Sequence, residues 1–210
     1  MSEVRLQRLR TQGVLEFNGQ QVPIENNVWL LGNDEDVWVI DAAHHADEIA
    51  TAVGNRTTLG ILLTHGHQDH VNAAPKLAQL LGAPLYLHDD DLFLWRETHS
   101  SLEPERSIQA GDTFTVGNVT LRTVHTPGHT PGSVCFIADD HGVVLSGDTL
   151  FQGGPGATRW EYSSFPQIIE SIQQELMVLP HNFTVLPGHG EGTTIEAEQE
   201  NLQLYIDRGW

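Results

Sequence analysis

Between residues 65 and 70 the chain places three His and one Asp, as His65-x-His67-x-Asp69-His70. The apolar run 60–63 just before them reads as a buried strand, and 71–81 just after reads as a helix closed by Gly82. The motif therefore lies on a strand-to-helix turn, where its side chains can converge on one point. A lone His is ordinarily a hydrogen-bonded structural residue, and that reading covers His44, His45, His88, His99, His141 and His181. It does not account for three His and an Asp on one turn.

Three more potential ligands each follow an apolar run in a Gly-containing loop: His129 in Thr126-Pro-Gly-His-Thr-Pro131, Asp148 in Ser146-Gly-Asp-Thr149 and His189 in Pro187-Gly-His-Gly190. Loops at strand ends can bring side chains into a shared site that opposite pleats of a strand could not. Five imidazoles and two carboxylates without a thiolate suit zinc, with iron or manganese as alternatives. Seven ligands exceed the four of one tetrahedral ion, so two divalent metal ions are implied.

The rest of the chain reads as short strands and helices. Bursts at 14–17, 28–31 and 37–40 are separated by Asn18-Gly19-Gln20 and by 32–36, and predict strands in hairpin-like succession. A helix is expected over 46–53, and a strand over 85–87. Asp89, Asp90 and Asp91 suit the first turn of the next helix, where acids offset the dipole. Strands are expected at 114–116 and 119–124, joined by Gly117-Asn118, then at 133–137 and 143–145. A helix over 166–178, a strand over 183–186 and a last helix over 195–206 complete the reading. No repeat, low-complexity segment or linker divides residues 1–210, which predicts one α/β domain with at least two sheets.

Five pieces together resemble the metallo-β-lactamase superfamily: Val39-Ile-Asp41, the motif from Thr64 to His70, Pro127-Gly-His-Thr-Pro-Gly-Ser133, Gly147-Asp-Thr-Leu-Phe151 and Pro187-Gly-His-Gly190. They occur in the family's order. The resemblance implies a four-layer αβ/βα sandwich with the metals at one edge. It assigns His65, His67 and His129 to the first metal, and Asp69, His70 and His189 to the second, with Asp148 bridging. Asp41 is implied to orient an imidazole. His125 is expected to give structural support, and Cys135 to be a small core residue.

The implied activity is hydrolysis by a metal-bridging hydroxide, with Asp69 and Asp148 as catalytic carboxylates. Gly147-Asp-Thr-Leu-Phe151 followed by a Gly-rich loop is most similar to the glyoxalase II branch, thioesterases acting on S-acyl derivatives of a small thiol. Those relatives usually carry Gly-Cys-Gly and then a cation, where this chain has Gly154-Pro-Gly-Ala157 and then Arg159. Lactone or ester hydrolysis and a mononuclear-iron persulfide dioxygenase are the alternatives. The loop 152–164 is expected to close over the metals and contact substrate through Arg159 and Tyr162.

Acidic residues outnumber basic ones 28 to 10, the net charge is -18, and Lys76 is the only lysine. Phosphate backbones are held by Lys and Arg, so nucleic acid is not an expected partner and a small-molecule substrate is. No apolar run approaches the ~20 residues of a membrane span. The polar start, with Arg5, Arg8 and Arg10, predicts no secretory signal and a cytoplasmic location.

Overall fold

The computed structural model describes residues 3–17, 20–100 and 102–209. The first sheet contains β1 (Arg5–Phe17), β2 (Gln20–Gly32), β3 (Asp36–Ile40), β4 (Thr57–Leu62), β5 (Leu85–Leu87) and β6 (Arg106–Ser107), in that spatial order. Its first three strands are antiparallel and the β3–β4, β4–β5 and β5–β6 pairs are parallel. The helices α1 (Ala46–Val53), α2 (Gln68–Val71), α3 (Ala74–Leu81) and α4 (Leu92–Thr98) fall in the connections between its later strands.

The second sheet is built from β7 (Thr113–Val116), β8 (Val119–His125), β9 (Val134–Ala138) and β10 (Val143–Gly147). A small hairpin of β11 (Leu150–Phe151) and β12 (Gly154–Pro155) follows, then α5 (Phe165–Ser171), β13 (Thr184–Pro187), β14 (Thr193–Thr194) and α6 (Ile195–Arg208). The sheet order is β14-β13-β10-β9-β8-β7, with β10 and β13 parallel.

The layering follows from alternation along the strands, because successive side chains point to opposite faces. In β2, Val28 and Leu30 enter one core while Trp29 and Leu31 enter another. In β3, Val37 and Val39 divide from Trp38 and Ile40 in the same way. The first core lies under α1, α3 and α4, with Ile49, Leu77 and Trp95 in it. The second joins the two sheets through Ile40, Leu62, Phe114, Leu121 and Phe136. In β9, Val134 and Phe136 face that central core while Cys135 and Ile137 face a third, which holds Ile168, Ile172 and Ile195 from the helical side. Three apolar layers between helix, sheet, sheet and helix make the four-layer α/β sandwich. Burying each large aliphatic or Phe side chain contributes about 1.5–3 kcal/mol.

Several elements differ from the expectation. β1 begins at Arg5, not near residue 14, because it pairs with β2 along its whole length from Arg5↔Gly32 to Phe17↔Gln20. Its polar side chains remain at a sheet edge, where Arg5 meets Asp34 and Arg10 meets Glu191. The helix expected over 71–81 is broken at Asn72-Ala73, since Pro75 has no N–H to continue α2 and instead opens α3. The helix expected over 166–178 ends as α5 at Ser171 and continues as a π turn over Ile172–Leu176. Gly117 does form the β7–β8 turn, with Val116 opposite Val119 and a φ of 56° that favours glycine. The Asn18-Gly19 turn lies outside the described residues.

Candidate metal centre

Five strands end at the same edge of the sandwich and each delivers a ligand-type side chain just beyond its last residue. Asp41 follows β3, His65 and His67 follow β4, and Asp69 and His70 stand on α2. His129 follows β8, Asp148 follows β10 and His189 follows β13. The backbone at Asp41 is left-handed, φ 63°, a conformation that Asp tolerates better than most residues.

Each of the five imidazoles has an oxygen behind one ring nitrogen and turns the other inward. His129 Nδ1 donates to the Ala157 carbonyl at 2.7 Å, and His189 Nδ1 donates to the Glu25 carbonyl at 2.8 Å. His70 Nδ1 donates to Asp41 Oδ2 at 2.9 Å. The Thr64 hydroxyl, itself a donor to Asp41, accepts from His65 Nδ1 at 3.1 Å. His67 is reversed: its Nε2 lies 2.9 Å from the Tyr162 hydroxyl and its Nδ1 faces inward. A nitrogen that donates outward fixes the tautomer and leaves an inward lone pair, the form in which imidazole ligates a metal.

The inward atoms gather in two groups. His67 Nδ1 is 3.1 Å from His65 Nε2 and 2.9 Å from His129 Nε2. In the other group His70 Nε2 and His189 Nε2 are 3.1 Å apart, and Asp69 Oδ2 lies 3.6 Å and 3.2 Å from them. Asp148 stands between: Oδ2 is 3.6 Å from His129 Nε2 and 3.5 Å from His189 Nε2, while Oδ1 is 3.4 Å from His70 Nε2. That Oδ1 is buried and has no hydrogen-bond partner. An orphaned buried acceptor is costly unless a cation completes it. The ligand atoms of His65, His67 and His129 lie within 4.8 Å of one another, as do those of Asp69, His70 and His189. The donor set fits two metal ions.

Electrostatics separates the groups. Burial holds the His65 imidazole well below its ordinary pKa, lowers that of His129, and brings His67 to about 3, so this trio is neutral. Burial opposes charge on His70 and His189 as well, but Asp148 and Asp69 outweigh it and raise both, with Asp41 adding to the rise at His70. For Asp69 and Asp148 burial favours the neutral acid, yet His70 and His189 hold both carboxyls below the usual range. The carboxylates thus favour positive charge at this group, which a divalent cation bound there would supply.

A cavity of about 660 Å³ opens over the cluster. His67, Asp69, His129, Asp148 and His189 line it beside Val22, Ile24, Leu94, Phe151 and Trp160. Arg159 and Tyr162, from the 152–164 loop, line it too, and Tyr162 has the further contact with His67. The Trp160 and Tyr162 rings stack 6.0 Å apart and 6° from parallel. Among the described residues, His125 donates to the Pro131 carbonyl and stacks on His88, and Cys135 is buried with its thiol pushed up to about 11 by burial.

Sequence reasoning missed two contributors. Asn26, buried in β2, donates to Asp69 Oδ2 at 3.1 Å and meets His44 Nε2 through its Oδ1 at 2.8 Å. Its neighbour Asn27 donates to the Pro187 and Gly190 carbonyls, at 3.0 and 2.9 Å, and so ties down the loop that carries His189. The signal available was two consecutive amides at the start of an otherwise apolar run. Asp91 also departs from the dipole reading. Asp89 and Asp90 are exposed, whereas Asp91 is buried and bonds to loops 25 and 41 residues away.

This fold and site define a metal-dependent hydrolase class, and the chain belongs to the metallo-β-lactamase superfamily, whose family model matches residues 22–189. It is 32% identical over 192 residues to the probable metallo-hydrolase YqgX of Bacillus subtilis (strain 168), covering 85% of this chain and 91% of the relative. It is 31% identical over 204 residues to the hydroxyacylglutathione hydrolase GloC of Haemophilus influenzae, covering 88% and 96%. Among solved structures, TTHA1623 in a di-iron-bound form is similar at a TM-score of 0.76 and 31% identity, over 85% of this chain and 94% of that one. No helix among the described residues is long and apolar enough to cross a membrane.

Proposed function

We propose that residues 1–210 form one domain that hydrolyses thioesters of a small thiol at a dinuclear metal centre, with zinc as the best-suited metal. The observation that carries the reading is the outward anchoring of all five imidazoles around two carboxylates, beneath a cavity with apolar walls. Likeness to GloC over nearly the whole chain supports the thioester.

In this reading His65, His67 and His129 hold one ion, Asp69, His70 and His189 the other, and Asp148 serves both. When bound, the ions supply Lewis acidity toward a carbonyl oxygen and an activated water. The chain's own residues do the rest. Asp41, Thr64, Glu25, Ala157 and Tyr162 keep ring tautomers and orientations fixed. Asp69 and Asp148 present acceptors toward the reacting carbon's side of the cavity, and Asn26 orients Asp69 through Oδ2. Ile24, Phe151 and Trp160 exclude water around the acyl group, and Arg159 offers charge to an anionic thiol portion. A thiolate leaves without an acid, so no proton donor for the leaving group is required.

The test is metal analysis of the purified protein followed by a panel of hydroxyacyl-glutathione, acyl-coenzyme A and lactone substrates. Chelator-sensitive release of free thiol with about two ions per chain is the expected result. Lactone opening without thiol release would replace the thioester reading with lactone hydrolysis. One bound iron with oxygen uptake on a persulfide would replace it with dioxygenation.

A further inference from the structure

The three imidazoles of the first group come from loops of different sheets: His65 and His67 follow β4, and His129 follows β8. At their base the two loops share one backbone bond, from the Val134 N–H to the Thr64 carbonyl at 2.9 Å. Asp91, at the start of α4, lies between them and is fully buried. Its Oδ2 accepts from the Gly66 N–H at 2.7 Å and from the Thr130 hydroxyl at 2.7 Å, and its Oδ1 accepts from the Gly132 N–H at 2.7 Å. Gly66 separates His65 from His67, and Thr130 directly follows His129. One carboxylate therefore spans both ligand loops with three short, charge-assisted bonds.

The glycines of the two motifs give independent support. A Cβ on Gly132 would lie 2.7 Å from Asp91 Cγ, and one on Gly66 would lie 2.9 Å from the Asp91 carbonyl oxygen and 3.0 Å from its Cβ. Both positions lack a side chain where the backbone must let Asp91 approach this closely.

We propose that Asp91 is a positioning residue that holds the His129 loop against the His65–His67 turn, and so sets metal affinity at the first site but not at the second. This rests on the metal assignment above. It acts through loop backbone and the Thr130 hydroxyl, without touching the ion. Asp91→Asn keeps the shape but presents one acceptor oxygen, so an amide N–H is turned toward at least one of the three donors.

The experiment uses full-length protein and Zn2+ titration against a chromophoric chelator in two single-site backgrounds. In Asp69→Ala, which keeps the first group's imidazoles, Asp91→Asn is expected to weaken zinc binding about tenfold or more, the lower end of the cost of losing an outer-shell partner. The visible bands of the Co2+-loaded protein should shift in that same background. In His67→Ala, which keeps the second group, zinc affinity should stay within about twofold, well under that outer-shell cost. Equal losses in both backgrounds would mark Asp91 as general structural support and overturn the proposal, as would unchanged affinity in both. An Asp69→Ala parent that binds no zinc would instead overturn the metal assignment, and the proposal with it. Should Asp91→Asn fail to fold, Thr130→Val removes one of the three donors: a loss confined to the first site supports the proposal, and its absence overturns it.

Discussion

Asp41→Asn tests whether the tautomer of His70 is what makes the second group a ligand set. Asn tolerates the left-handed φ of 63° at this position, so the backbone has no reason to move. The carboxylate accepts from His70 Nδ1 at 2.9 Å with Oδ2, from the Thr64 N–H at 2.8 Å with Oδ1, and from the Thr64 hydroxyl at 3.1 and 2.9 Å. An amide has one acceptor oxygen. If that oxygen faces Thr64, the amide N–H meets His70 Nδ1 and drives the ring proton onto Nε2, the atom aimed at His189 and Asp148. If it faces His70, the Thr64 N–H is buried opposite another donor. The first outcome should weaken metal binding about 10–100-fold, as loss of an outer-shell carboxylate does, which is about 1.4–2.8 kcal/mol. The second should cost about 1–3 kcal/mol of stability, or about 2–12 °C in Tm for a chain of this length. Zinc competition against a chromophoric chelator reads one, and thermal unfolding of chelated protein reads the other. Unchanged zinc affinity together with a Tm within about 1 °C of wild type, below the smallest shift expected, would refute the argument.

Asp148→Ala should lower occupancy at both positions, because Asp148 faces His129 on one side and His70 and His189 on the other; elemental analysis showing two tightly held ions would refute the shared role. Asp69→Ala should abolish most turnover with little change in thermal stability, and a Tm collapse as large as the activity loss would make the residue mainly structural. Loading the second ion should release protons, since the neighbouring carboxylates raise the pKa of His70 and His189, whereas burial lowers those of His65, His67 and His129. Affinity for that ion should therefore fall as pH is lowered; calorimetry in buffers of different ionisation enthalpy checks it, and proton release by the first ion alone would refute the division. Arg159→Ala should raise KM for anionic thioesters while a small neutral thioester is hydrolysed at the wild-type rate, and equal losses on both would place Arg159 in structural support.

The candidate ligands were legible in the sequence because each is local to a pattern: an apolar run, a glycine, a His or Asp. The four layers came through the family resemblance, since the runs 28–31 and 37–40 are apolar at every position and do not by themselves say which core each face enters. Polar contacts across the fold leave no such trace. β1 owes its first residues to a ladder whose partners run backward from Gly32, so Arg5, Arg8 and Arg10 read as a polar start although each stands opposite a residue of β2. Asn26 reaches Asp69 over 43 residues, and its own neighbours in sequence say only that an amide interrupts an apolar strand. Asp89, Asp90 and Asp91 make the point most sharply, because three identical residues form one 3₁₀ turn and only the last is buried. With about three residues per turn, such a segment points each side chain in a different direction, so only one can face the ligand loops. Composition and dipole arguments treat the three alike. The phase of the turn, set by where β5 ends and α4 begins, decides that Asp91 alone meets Gly66, Thr130 and Gly132.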